Sequence, residues 1–154
     1  MNNSKSILVQ QLAALLENET DAVANMANAS ALLFQSLPDI NWAGFYRYVE
    51  KADELILGPF QGKVACVHIP NGNGVCGTAF QNNQVLRIAD VHKFPGHIAC
   101  DADSKSEIVL PITLADGKQI GVLDIDAPVE NRFSSADEEE LKQFVATLVP
   151  HLTK

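Results

Sequence analysis

Apolar residues recur at helical spacing from Lys5 to Leu16, through Ile7, Leu8, Leu12, Leu15 and Leu16. The pattern resumes after Glu17-Asn18-Glu19-Thr20 and runs to Leu37. This predicts two helices, the second ended by Pro38, which cannot continue an i to i−4 ladder. The period then changes. Ile40 to Val49, INWAGFYRYV, is aromatic and β-branched, and Leu55 to Pro59 follows a short charged turn, so an antiparallel hairpin is expected. Val64 to Ile69 reads as a third strand.

The next segment, NGNGVCGTAFQNN, has Gly72, Gly74 and Gly77 to make a turn and release a short helix ending near Asn82, with Cys76 in or beside it. Val85 to Ile88 is a short strand. Ala89 to Ser106 is a long polar connection carrying His92, His97, Cys100, Asp101 and Asp103, and loops of that length inside a compact domain are usually functional or disordered. Glu107 to Leu114 and Lys118 to Asp126 flank Ala115-Asp116-Gly117, a strong hairpin signal. A last helix is opened by Ser135 with Glu138 as a capping box, and its apolar spacing continues through Leu152. Helices at both ends of a central run of strands define an α+β domain on an antiparallel sheet, expected to occupy residues 1–154 as one unit.

Composition narrows the partners. A 154-residue chain with 47% hydrophobic residues can fill one core, and its formal charge of −8 argues against nucleic acid, whose binding depends on Lys and Arg neutralising phosphates. The opening residues lead into an amphipathic stretch rather than an unbroken apolar one, so neither a signal peptide nor a membrane span is expected and a cytoplasmic location follows. Three cysteines in a reducing compartment leave buried thiols, a metal site or redox chemistry.

Period-2 alternation in Ile120 to Asp126 sends Asp124 and Asp126 to one face, and Leu123 and Ile125 to the other. The common arrangement would be the wet face of a half-buried sheet. Val122, on the acids' own face, suggests instead a partly covered recess, where neighbouring carboxyls tend to keep a proton and suit a general acid. Trp42, Gly44, Tyr46 and Tyr48 share a face of the first strand. Such an aromatic stripe is usually core, but Gly44 is expected to leave a gap between Trp42 and Tyr46 for a thioether-like group.

Each cysteine alone behaves as a small buried hydrophobe. The neighbours add information: Cys66-Val67-His68 and His97-Ile98-Ala99-Cys100 set imidazoles near thiols, and Cys100 lies in the long loop, where access is expected. Asp101 and Asp103 would oppose thiolate formation there. A zinc site from Cys66, Cys76, Cys100 and His68 or His97 is the rival explanation, weakened by the absence of a Cys-x-x-Cys or His-x₃₋₅-His knuckle. The glycines of NGNGVCG do not complete a dinucleotide motif.

INWAGFY, LGPFQGKVACVHI, GNGVCGTA, IADVHKFPGHIACD, SEIVLPI and GVLDIDAP, spread over Ile40 to Pro128, resemble the GAF-domain free methionine-(R)-sulfoxide reductases. The resemblance implies a GAF-like fold with a central antiparallel sheet and a pocket closed by the long loop. It implies Cys100 as nucleophile, Cys66 as resolving thiol and Cys76 as a reserve thiol, with Cys66 and Cys76 both upstream of the loop and either able to reach it. Glu107, Asp124 and Asp126 match the family's acidic pocket residues, and Trp42 and Tyr46 match those packed on the substrate's methyl end.

The implied reaction reduces free methionine-(R)-sulfoxide. Glu107 or Asp126 would activate the sulfoxide oxygen while Cys100 attacks; a sulfenic acid and then a disulfide follow, and thioredoxin restores the thiols. No metal or organic cofactor is implied. Asp124 could pair the ammonium of a free amino acid. A GAF small-molecule sensor and a zinc-stabilised interaction module are the competing classes, and a homodimer through an apolar first or last helix is compatible with the pattern.

Overall fold

Ser6 and Asp21 start the first two helices by accepting, through their side chains, the N–H groups of Val9 and Ala24 that an intrahelical ladder leaves unpaired. α1 (Ile7–Leu16) and α2 (Ala22–Ser36) follow, and the Leu37 N–H closes α2 on Leu33 O just before Pro38. In this computed structural model, which describes residues 5–97, 100 and 102–152, the remaining helices are α3 (Gly74–Asn82) and α4 (Ser135–Leu148). Asp101 and the opening residues 1–4 lie outside that range.

The strands are β1 (Trp42–Val49), β2 (Glu54–Gly62), β3 (His68–Pro70), β4 (Leu86–Ile88), β5 (Ser106–Thr113) and β6 (Gln119–Ala127). Among the described residues they form a six-stranded antiparallel sheet of order β3-β2-β1-β6-β5-β4. The α+β class and both hairpins follow the sequence pattern. No described helix is long and apolar enough to cross a membrane.

Alternation along the central strands serves two apolar layers, one on each side of the sheet. Ala43, Phe45, Leu123, Ile125, Ile108 and Leu110 pack with α1, α2 and α4 on one side. Trp42, Tyr46, Val122 and Val109 pack beneath α3 on the other, with Val75, Ala79 and Phe80 of that helix. The arrangement in which Asp124 and Asp126 lie on a wet face is therefore not realised, because α3 and the segments around it cover that face.

Several boundaries differ from the sequence pattern: the last helix ends at Leu148 rather than running through Leu152, the second strand runs to Gly62 rather than Pro59, and two further differences have a visible local setting. The third strand is His68–Pro70 rather than Val64 to Ile69. Residues 63–66 leave the sheet, and side chains of β1 hold two of their carbonyls: Trp42 Nε1 donates to Lys63 O at 3.1 Å and Tyr46 Oη to Cys66 O at 3.0 Å. The last helix is capped by Ser134, not Ser135. Ser134 Oγ accepts from Asp137 N and Asp137 Oδ2 accepts from Ser134 N, completing the box one residue earlier. Both serines have an acid three positions on, and Arg132, 3.2 Å from Asp137 Oδ2, favours the earlier pair, while Glu138 binds Arg87 and Lys142.

Candidate active site

Cross-strand register places the acidic residues before any helix packs on them. Asp126 of β6 lies between Trp42 on β1 and Glu107 on β5, and Asp124, two residues earlier on the same face, lies between Gly44 and Val109. Glu107 is 6% exposed and Asp124 5%. α3 then brings a thiol over them, with Cys76 Sγ 3.8 Å from Glu107 Oε2 and the Cys76 side chain itself buried. Gly77 permits this close seat, since a Cβ there would stand 2.8 Å from Pro70 O.

The aromatic pair forms a wall rather than a gap. Trp42 and Tyr46 stack with centroids 5.8 Å apart, and Phe60 stacks on Trp42 at 5.1 Å. The space expected at Gly44 is occupied by β2: a Cβ on Gly44 would meet Phe60 Cα at 2.7 Å and Pro59 O at 2.9 Å. Gly44 thus serves strand packing at an irregular register between Gly44 and Tyr46, not a ligand cavity.

The polar ends of the same two rings hold residues 63–66, and from this segment Cys66 reaches the long loop. Cys66 and Cys100 are joined as a disulfide with Cα atoms 5.5 Å apart. Lys63 and Asp103 pair at 2.9 Å beside it, and Asn41 Nδ2 donates to the buried Ser104 Oγ. These contacts fasten the latter part of the connection expected to close the pocket. The pairing also removes Cys66 and Cys100 from the zinc set considered from sequence. His68 turns to the sheet edge, where Nδ1 lies 2.6 Å from Glu54 Oε2.

A recess results. The sheet contributes Trp42, Tyr46, Glu107, Asp124 and Asp126, the start of α3 contributes Asn73 to Cys76, and the loop contributes His97, Cys100 and Ser104. Val64, Ala65 and Ile69 complete the lining; Cys66 is not part of it, so the disulfide runs from the wall at Cys100 outward to Cys66. Val64, Ala65, Ile69, Asn73 and Ser104 were not singled out from the sequence. Asn73 could have been found as the residue preceding the glycine-started helix, whereas Ser104 offers no local signal.

Burial sets the protonation of this recess. It pushes the Glu107 carboxyl well above the usual carboxylate range, with Asp124's charge adding to the effect. It does the same for Asp124, where Asp126 adds, while contacts with Glu107 and Cys76 pull partly back. Burial and the surrounding acids hold Cys76 as a neutral thiol and keep the Tyr46 hydroxyl protonated. His97 is pushed below the ordinary histidine value, by burial first and by His92 second. The recess therefore presents carboxylic acids as donors against an aromatic wall. Asp124 Oδ1 is buried with no hydrogen-bond partner among the described residues, an acceptor left for a ligand.

An α+β sheet covered on one side by its terminal helices, with a recess on the other, is the architecture of a GAF domain, and the GAF domain family model matches residues 23–151. The free methionine-R-sulfoxide reductase of Escherichia coli is 60% identical over 135 residues, covering 88% of this chain and 80% of that protein. The enzyme of the same name from Saccharomyces cerevisiae is 49% identical, covering 92% and 83%. The structure of Staphylococcus aureus fRMsr in complex with substrate superimposes with a TM-score of 0.89 at 51% identity, covering 99% of each chain. The chain belongs to the GAF-domain free methionine-(R)-sulfoxide reductase family, a family of oxidoreductases.

Proposed function

We propose that this protein reduces free methionine-(R)-sulfoxide to methionine with Cys100 as the nucleophile. The sulfoxide's methyl end packs on Trp42 and Tyr46. A protonated Glu107, or Asp126 beside it, gives a proton to the sulfoxide oxygen, which makes the sulfur electrophilic. The Cys100 thiol attacks, the oxygen ends on Cys100 as a sulfenic acid, and methionine leaves with its sulfur reduced by two electrons. The Cys66 thiol then displaces water from Cys100, giving a disulfide. A thioredoxin-type dithiol reduces that disulfide by exchange and becomes oxidised itself.

The observation that carries this reading is the Cys66–Cys100 bond with Cys100 on the wall of an acid-lined recess. It supports Cys66 rather than Cys76 as the resolving thiol, since Cys76 lies against Glu107 as a buried, neutral thiol. Asp124 is assigned to the substrate's ammonium: its buried Oδ1 lacks a partner, and an arriving cation would drive off its proton. A peptide-bound methionine within a chain carries no such charge, which favours the free amino acid.

The test supplies each epimer of free methionine sulfoxide with thioredoxin, thioredoxin reductase and NADPH. Wild type should consume NADPH with the R epimer only, and Cys100→Ser should be inactive. No consumption by wild type, or a serine variant of equal rate, would overturn the mechanism.

A further inference from the structure

Cys76, Glu107 and Asp124 are buried together, and one ligand atom from each lies within 4.8 Å of the other two. The 3.8 Å between Cys76 Sγ and Glu107 Oε2 is close to the sulfur–oxygen edge of about 3.6 Å that a tetrahedral zinc requires, from bonds of about 2.3 and 2.1 Å. Asp124 brings to this cluster a buried carboxyl whose Oδ1 has no hydrogen-bond partner among the described residues. Among the described residues lining the recess there is no lysine or arginine to balance these acids.

We propose that Cys76, Glu107 and Asp124 form an inhibitory binding site for a thiophilic divalent cation, Zn²⁺ being the type case, seated on the floor of the recess. One thiolate with two carboxylates suits zinc rather than magnesium or calcium, which take oxygen ligands. Three protein ligands leave the fourth position to water. On binding, the Cys76 proton and those still held by Glu107 and Asp124 pass to solvent, so affinity rises with pH. The bound metal occupies the carboxyls assigned above to the sulfoxide and the ammonium, and therefore excludes substrate. This exclusion rests on the proposed reaction; metal uptake does not. The set differs from the zinc site considered from sequence, which needed Cys66 and Cys100.

The uptake experiment uses the disulfide form, in which Cys76 is the remaining thiol. Metal-free protein titrated with Co²⁺ should develop a thiolate-to-metal charge-transfer band at one equivalent, and one equivalent of Zn²⁺ should abolish it. Mg²⁺ should have no effect. Cys76→Ser should lose the band and bind Zn²⁺ at least about 100-fold more weakly, the upper end of what losing an outer-shell partner costs. Near-UV circular dichroism verifies that this variant is folded, and Asp124→Asn, which keeps the thiol, should also weaken Zn²⁺. Absence of the band, or unchanged Zn²⁺ affinity in folded Cys76→Ser, would overturn the site. In turnover by reduced wild type, Zn²⁺ should raise KM and leave kcat unchanged. Uptake without that effect would overturn the inhibitory role alone.

Discussion

Tyr46 donates its hydroxyl to the carbonyl of Cys66 at 3.0 Å, so the aromatic wall of the recess and the outer half of the disulfide are tied by one hydrogen bond. The same ring stacks on Trp42, whose indole N–H fixes Lys63 three residues earlier. Two side chains thus both line the site and hold the segment that carries its second cysteine.

Tyr46→Phe keeps the stack and removes that hydrogen bond. A single such bond contributes about 1 kcal/mol, so closure of Cys66 onto oxidised Cys100 should slow by about fivefold while methionine release stays near its wild-type rate. Single-turnover measurements of methionine and of free thiols separate the two steps. Slower methionine release with undelayed disulfide formation would contradict this role.

Glu107 ties stability to pH. Its folded-state pKa is raised above the ordinary value of 4.5 by burial and by Asp124, so the native state holds the proton more tightly than the unfolded chain. Stability from this group is complete below the ordinary value and is lost as pH climbs toward the folded pKa, by about 1.4 kcal/mol per pH unit within the window. Glu107→Gln has no proton to lose. Denaturant midpoints of the two proteins should converge in acid and diverge in favour of the glutamine variant as pH rises; a gap independent of pH would refute the coupling.

Asp124→Ala should raise KM for free methionine-(R)-sulfoxide by about 10- to 100-fold, the loss of one charge-assisted hydrogen bond of about 1.5–3 kcal/mol, and change kcat less. The reverse pattern in steady-state kinetics would move Asp124 from ammonium binding to chemistry.

Gly44→Ala should destabilise the fold by about 1–3 kcal/mol, because the new Cβ is driven into the Phe60 backbone of β2, which has little room to give. Thermal unfolding measures it. A stability equal to wild type would mean that the β1–β2 register adjusts freely.

The chain pattern by itself determined most of the elements and the faces of the central strands. The period of 3.6 in residues 7–16 and 22–36 makes helices wherever a sheet receives them, and strict alternation in β6 sends Asp124 and Asp126 one way and Leu123 and Ile125 the other. Motif resemblance likewise named part of the recess lining, Trp42, Tyr46, Cys76, Cys100 and the three acids, but not Val64, Ala65, Ile69, Asn73 or Ser104. Tertiary structure decided how buried those residues are and what holds them. Alternation cannot tell a wet face from a covered one; the seating of α3 over β5 and β6 made the acids donors. Local propensity drew a strand through Val64 to Ile69, but indole and phenol donors from β1 hold the carbonyls of Lys63 and Cys66, and the strand begins only at His68. The site's second cysteine stands where it does because of contacts between residues about 20 apart in the chain, a separation over which sequence periodicity carries no information.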